Sequence, residues 1–336
     1  DMKVDGGLGA LATAGTTARS LEEAGYDGAW SAETSHDPFL PHVLAADATD
    51  RLELGTGIAV AFARSPMTLA NTAWDLQVQS EGRFLLGLGS QIKPHITKRF
   101  SMPWSQPAAR MREMILAIRA IWDSWDGDGT LDFRGDFYTH TLMTPFFNPG
   151  PSPHGHPKVF LAAVGPKMTE VAGEVCDGLL CHGFTTASYL QEETLPAVET
   201  GLAKAGRSRA DLELSIPAFI VTGQDEEEMA ASAVGVRRQV AFYGSTPAYR
   251  GVLEHHGWGD LQDELNVLSK QGEWATMGEL IDDEILGTFA VVAEPDAIAG
   301  ALLERWGGLV DRISFYAPYE SDRATWLPVV EALKAG

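Results

Sequence analysis

Apolar, β-rich runs alternate along this chain with runs of helical period. Residues 3–8 read as a strand, residues 17–24 as a helix closed by Gly25, and residues 28–32 as a second strand. Residues 52–60 and 84–89 are near-continuous apolar strands on either side of a helix over 68–80. Strands apolar on both faces and separated by helices predict a parallel sheet covered on both sides. The next helix has the clearest period. Met111, Met114, Ile115, Ile118, Ile121 and Trp122 fall on one continuous stripe, and an Asp/Gly cluster at 126–129 ends it.

Residues 130–157 break the rhythm. A small hairpin is predicted over 130–138, anchored by Phe133 and Phe137, and residues 144–157 carry five prolines and two glycines. Strands then return at 159–164, 178–181, 212–221 and 312–316. Helices are predicted at 169–175, 187–204, 225–243, 295–306 and 326–333, and residues 244–287 stand outside the simple repeat. Eight strands in α/β alternation point to a TIM (β/α)8 barrel with insertions around 127–157 and 244–287, read as one domain over 1–336. An open doubly wound sheet is the alternative, but nothing marks a reversal of strand order.

Composition narrows the function. The 336 residues hold 25 Lys and Arg against 46 Asp and Glu, a net charge of −21. Phosphate neutralisation needs clustered cations, so nucleic acid is disfavoured as a partner, and so are anionic membrane surfaces. No apolar run reaches the ~18 residues of a membrane span. No signal-peptide pattern opens the chain, so Met2 reads as the native start, Asp1 as a processing remnant, and the cytoplasm as the compartment. Cys176 and Cys181 read as reduced core thiols. The pairs His154/His156 and His255/His256 lack metal-site spacing, so no metal is expected.

In a (β/α)8 barrel, chemistry sits where strands end. Gly7-Leu8-Gly9 and Gly87-Leu88-Gly89 lack the third glycine of a dinucleotide fingerprint. Gly55-Thr56-Gly57 fits either a rim bulge or a close approach of backbone to ligand. Residues 162–168, Ala-Ala-Val-Gly-Pro-Lys-Met, join a strand to a helix through small residues. That turn is either an anion site at a helix N-terminus or an ordinary tight turn. His36 after the second strand and His95 after the fourth are candidates for proton transfer, or loop histidines that cap the next helix.

Taken in order, several blocks resemble the bacterial luciferase-like flavin/deazaflavin superfamily. They are residues 21–30 (LEEAGYDGAW), 55–58 (GTGI), 64–66 (RSP), 80–89 (SEGRFLLGLG), 133–138 (FRGDFY) and 161–167 with Ala172-Gly173 and Asp177-Gly178. The chain is most similar to the actinobacterial F420-dependent oxidoreductase branch, an impression strengthened by residues 243–247 (YGSTP) and 256–258 (HGW). The resemblance implies a barrel with the cofactor ring at its C-terminal mouth and hydride transfer at the deazaflavin C5. It places Gly57 and Ile58 on a bulge that backs the ring and usually carries a non-proline cis peptide. It places Ser90, Gln91 and His95 against the cofactor, and Ala163, Val164, Gly165, Pro166 and Lys167 on the phosphate turn. His36 falls on the histidine of the loop after the second strand, a candidate for proton transfer, with His95 as its rival. The glutamate that follows the fourth strand in the sugar-phosphate dehydrogenases of the branch is missing from residues 90–95, which argues against a sugar phosphate. Trp104, Phe146, Phe147, Tyr243 and Trp258 suggest a small apolar substrate, unless they are core.

The expected activity is hydride transfer between F420 and an alcohol, carbonyl or activated alkene, by a homodimer. The alternative is an FMN-dependent monooxygenase working with a separate flavin reductase. A cofactor-free relative that kept only the barrel is a third reading.

Overall fold

The computed structural model describes residues 2–335; Asp1 lies outside them. Among these residues, eight strands alternate with helices in the order of a TIM (β/α)8 barrel. They are β1 (Lys3–Gly7), β2 (Gly28–Ser31), β3 (Glu53–Thr56), β4 (Phe84–Gly89), β5 (Lys158–Ala163), β6 (Gly178–Cys181), β7 (Glu213–Val221) and β8 (Arg312–Tyr316). The main helices are α1 (Ala14–Glu23), α2 (Leu40–Ala48), α3 (Pro66–Gln79), α4 (Pro107–Asp126), α5 (Pro166–Val175), α6 (Leu195–Lys204), α7 (Glu226–Gly244), α8 (Ile298–Trp306) and α9 (Arg323–Ala335).

The chain forms two compact units, residues 6–180 with 197–213, and residues 2–5 with 181–196 and 214–335. In the first, β2 to β5 lie side by side and parallel. Gly28 pairs with Glu53, Leu54 with Phe84, and Leu85 with Lys158. The expected stripe of α4, Met111 to Trp122, is fully buried, and the Trp122 indole donates to Ala70 O at 3.1 Å. Each such aliphatic side chain contributes about 1.5–3 kcal/mol by leaving water. Carboxylates staple loop backbone in the same unit. Glu22 accepts from the amides of Asp50, Arg51 and Leu52, and Glu113 from those of Asp136, Phe137 and Tyr138.

In the second unit β8 is central, pairing with β1 (Val4 with Ile313) and with β7 (Ile216 with Ile313). Arg312 on β8 is fully buried and meets the buried Asp5 carboxylate with two bonds, at 2.8 and 2.7 Å. A buried charge needs such a match, because an unpaired one costs several kcal/mol or about that. A short strand, Ala290–Val292, pairs with Phe219–Val221 at the C-terminal end of β7 and was not foreseen.

Other expectations are corrected. The predicted helix over 187–204 is interrupted by a π-helical segment, Leu190–Thr194. The hairpin lies later than predicted, with strands Phe133–Arg134 and Thr139–His140. Helix α2 went unforeseen because Leu40, Val43 and Leu44 face solvent, leaving no one-sided stripe. Residues 250–289 hold four helices, Arg250–His255, Gly259–Gln271, Trp274–Glu279 and Asp283–Phe289. Each is too short for a long apolar period, and Gly257 and Gly272, at φ 77° and 78°, divide them. Their apolar residues, among them Leu265, Met277 and Phe289, join Val236 and Val240 of α7 in one core.

The predicted strand over 52–60 is also broken, and this break shapes the rim. Gly55 pairs with Leu85 and Ala59 with Leu88, so three residues of one strand stand opposite two of the other. That is a bulge, which leaves backbone groups without ladder partners. The Thr56 hydroxyl fills the gap, donating to Gly87 O at 2.7 Å and accepting from Gly87 N at 3.0 Å. The strands approach so closely that a Cβ on Gly87 would lie 1.7 Å from Thr56 O. Gly87→Ala should therefore cost about 3 kcal/mol, the upper end of overpacking, because the obstacle is backbone. Urea unfolding should show a lowered midpoint; an unchanged midpoint would show that the rim can widen.

Candidate active site

The ends of β2, β3 and β4 meet at this bulge. The Gly57–Ile58 peptide is cis, as the resemblance implied. Its flanks are tied to β2 and the loop beyond: Gly57 N donates to Ser31 O at 2.6 Å, and Glu33 N to Ile58 O at 3.1 Å. Gly89 ends β4 where a Cβ would press on the Ile58 side chain at 2.7 Å. A glycine there lets Ile58 lie across the end of β4. Gly55 plays the same part toward Trp30, whose ring would be 2.5 Å from a Cβ.

His36 stands exposed on the loop after β2. The loop is held from outside itself. Arg64 binds the Glu33 carboxylate through both terminal nitrogens, at 2.7 and 3.1 Å, and reaches Asp37 at 3.4 Å. Glu33 also accepts from Val60 N at 2.7 Å, just past the bulge. From the other side, Arg99 donates to Thr34 O. Arg99 closes a π-helical turn, His95–Arg99, so the segment carrying His95 is bonded to the loop carrying His36. His95 itself is exposed at the start of that turn.

Ser90 and Gln91 follow β4 directly. Gln91 adopts φ 58°, a left-handed conformation that costs a non-glycine residue about 1 kcal/mol or more. It is compensated locally, by Ile92 N donating to the Gln91 side chain at 2.9 Å and by Ser90 Oγ donating to Gln91 O at 3.1 Å.

The fourth element is the turn from β5 into α5. Ala163 is half-buried, while Val164, Gly165, Pro166 and Lys167 are exposed. Gly165 is the N-cap residue, Pro166 opens the helix, and no side chain caps it. The first amides of such a helix have no partner within it and carry its positive dipole end. A Cβ on Gly165 would meet nothing within 4 Å, so the turn is open on that side. Exposed donors, a helix N-terminus and open space fit a phosphate.

Sequence reading missed two histidines. His42 on α2 is fully buried, bonded to Ser31 Oγ at 2.8 Å, and burial pushes it down to about 3. It looked like part of an unremarkable segment because nothing in the sequence marks α2. His182, just after β6, stacks on Tyr249 at 4.5 Å and meets Tyr243 edge-on at 4.6 Å. Its Nδ1 accepts from Phe184 N at 3.0 Å, and burial lowers the ring to about 4. Tyr243 and Tyr316 share a hydroxyl hydrogen bond of 2.7 Å, and burial followed by that bond pushes Tyr316 up. Burial thus favours the neutral forms of His182 and Tyr316. Of the other aromatics singled out, Trp104 packs edge-on against Phe62, Trp258 stacks on His256, and Phe146 and Phe147 are exposed.

Among the described residues no group of His, Cys, Asp and Glu is arranged to hold a metal, and no helix is long and apolar enough to cross a membrane. The family model for luciferase-like monooxygenase matches residues 2–312. A protein of Mycobacterium tuberculosis without an assigned role is 58% identical over 313 residues, covering 93% of this chain and 92% of its own. The 5,10-methylenetetrahydromethanopterin reductase of Archaeoglobus fulgidus is 26% identical over 311 residues, covering 90% and 88%. Among solved structures, the coenzyme F420 dependent tetrahydromethanopterin reductase from Methanopyrus kandleri superposes with a TM-score of 0.80 at 20% identity, over 98% of this chain and 96% of that one. At that identity the likeness speaks for the fold, and it agrees with the barrel.

Two outcomes follow from this geometry. His42 refuses a proton that the unfolded chain accepts between the ordinary histidine value near pH ~6.5 and about 3. Stability should therefore rise with pH through that window and be lost as pH falls. His42→Gln should flatten acid unfolding between pH ~6 and ~4; an unaltered acid limb would contradict the assignment. Gly165→Val should fold with an unchanged melting temperature, since its Cβ meets nothing and its φ of −82° suits any residue. Isothermal titration should show it binding F420 at least about 10-fold more weakly if the turn holds phosphate by close approach. Equal affinity would take the phosphate away from this turn.

Proposed function

The chain belongs to the luciferase-like monooxygenase family of oxidoreductases, and within it, we propose, it is an F420-dependent enzyme that exchanges a hydride with a small, apolar alcohol, carbonyl or activated alkene. The observation that carries this reading is the set of open backbone at one rim. It comprises the bulge at Gly57–Ile58, after β3, and the uncapped turn over 163–167, after β5, on either side of β4 in one unit. The Methanopyrus kandleri reductase of this fold is coenzyme F420 dependent, which supports the choice of deazaflavin. FMN remains the alternative, as the cofactor of a monooxygenase served by a separate flavin reductase.

When bound, F420 supplies a ring carbon that gives or takes a hydride. The chain does the rest. The amides of the 163–167 turn hold the phosphate, with Lys167 adding a modest exposed charge. Gly57 and Ile58 back the ring, and Ser90, Gln91 and His95 flank it. His36 gives a proton to the substrate oxygen, or takes one from it, so that no alkoxide is left uncompensated.

The substrate is read as neutral. Residues 90–95 offer no carboxylate, and in the same unit Trp104 packs edge-on against Phe62 to give apolar surface. The same proposal covers a single luciferase-like domain over 1–336 acting in the cytoplasm. It also covers a homodimer, supported by the exposed apolar face of Leu40, Val43 and Leu44 on α2.

Parallel fluorescence titrations with F420 and FMN test the cofactor. Saturable quenching by F420 alone is expected; binding of FMN alone would replace the reading with the monooxygenase. With a turnover substrate in hand, His36→Ala should keep F420 affinity within a few fold while kcat falls about 10²–10⁴-fold. Undiminished kcat would remove His36 from the reaction.

A further inference from the structure

We propose that Arg64 is a positioning residue: one guanidinium sets both the His36 loop and the peptide segment behind the cofactor ring. The proposal rests on the functional reading above only for what those two segments do; the clamp itself stands on contacts within one unit. Arg64 meets Glu33 on one side of His36 and Asp37 on the other. The same guanidinium donates to Val60 O at 3.1 Å, two residues past the Gly57–Ile58 bond. Glu33 closes the circuit. Its carboxylate accepts from Val60 N at 2.7 Å, and its own amide donates to Ile58 O at 3.1 Å. Four of these contacts therefore run between the loop after β2 and the loop after β3, around an Arg–Glu pair.

The pair is shielded enough to matter. The Glu33 side chain is 7% exposed and that of Arg64 20%. The guanidinium also lies over the Phe39 ring, 5.3 Å from its centre. Bidentate Arg–carboxylate geometry fixes orientation as well as distance, which a lysine ammonium does not reproduce. Asp37 has a second task, accepting from Phe39 N at 2.8 Å and Leu40 N at 3.2 Å at the start of α2. Its grip on Arg64 thus references the His36 loop to a helix. Flanked by two residues held by one cation, His36 keeps an exposed side chain on a backbone that cannot drift. Arg64 itself touches neither proton nor ring, so it acts through the two segments.

The test uses the full chain with Arg64→Met, Arg64→Lys and Glu33→Gln. Hydrogen exchange at the amides of Glu33 and Val60 reads the clamp without cofactor, and F420 titration reads its consequence. In Arg64→Met we expect faster exchange at both amides, no change at Trp122 or elsewhere in α4, a melting temperature within a few degrees, and F420 binding weakened about 10-fold. Arg64→Lys should recover part of the affinity and less of the protection. Should Arg64→Met not fold, Glu33→Gln must show the same paired loss of protection. Unchanged exchange at Val60 and Glu33 overturns the clamp. Faster exchange with unaltered F420 affinity overturns its role in positioning. A wild type that binds FMN and not F420 sinks the cofactor reading alone, leaving the exchange measurements to decide the clamp.

Discussion

The contact between Thr56 and Gly87 governs the rim on which the candidate site is built. Two parallel strands come so close that no side chain fits between them, and one threonine hydroxyl serves both the amide and the carbonyl of the facing glycine. With that hydroxyl in place, the ladder can omit a pairing without leaving Gly87 unsatisfied. The chain past the bulge is thereby displaced. Ile58 crosses the end of β4 over Gly89, and Val60 comes within reach of Glu33. The positions of the Gly57–Ile58 peptide and of the histidine loop are consequences of that one missing rung.

Around it, charge is used mainly to organise backbone. Glu22, Glu113 and Asp177 each accept from loop or strand amides, and Glu33 does so while bound to Arg64. Glu22, Arg64 and Asp177 lie in blocks that make the sequence resemble its family, and their roles are architectural. A net charge of −21 is thus partly spoken for by backbone donors. The groups proposed to meet cofactor and substrate are instead mainly backbone, Ser90 and Gln91, with His36, His95 and Lys167 beside them.

Much of the fold was legible because two-sided apolar strands and one-sided helices have different periods. The stripe of α4 and the runs at 84–89 and 159–164 could hardly be read otherwise. What failed had a physical cause in each case. Helix α2 exposes leucines and so has no polar face to betray it. The helices over 250–289 bury their apolar residues only by packing on α7, a tertiary fact invisible to local pattern. At the site, Gly57, Gly165 and His36 could be named from position along the repeat and from resemblance. The clamp of Glu33 and Arg64 could not, since residues 31 apart in sequence reveal a partnership only once two loops are folded together. His182 was passed over for the same reason, its aromatic partners lying about 60 residues downstream in a region without clear period.

The most direct test of the account is a crystal structure of the protein grown with F420. The account predicts the deazaflavin ring against the Gly57–Ile58 peptide, and the phosphate within hydrogen-bonding distance of amides in the 163–167 turn. A cofactor bound away from both, or density at this rim for FMN but not for F420, would contradict it.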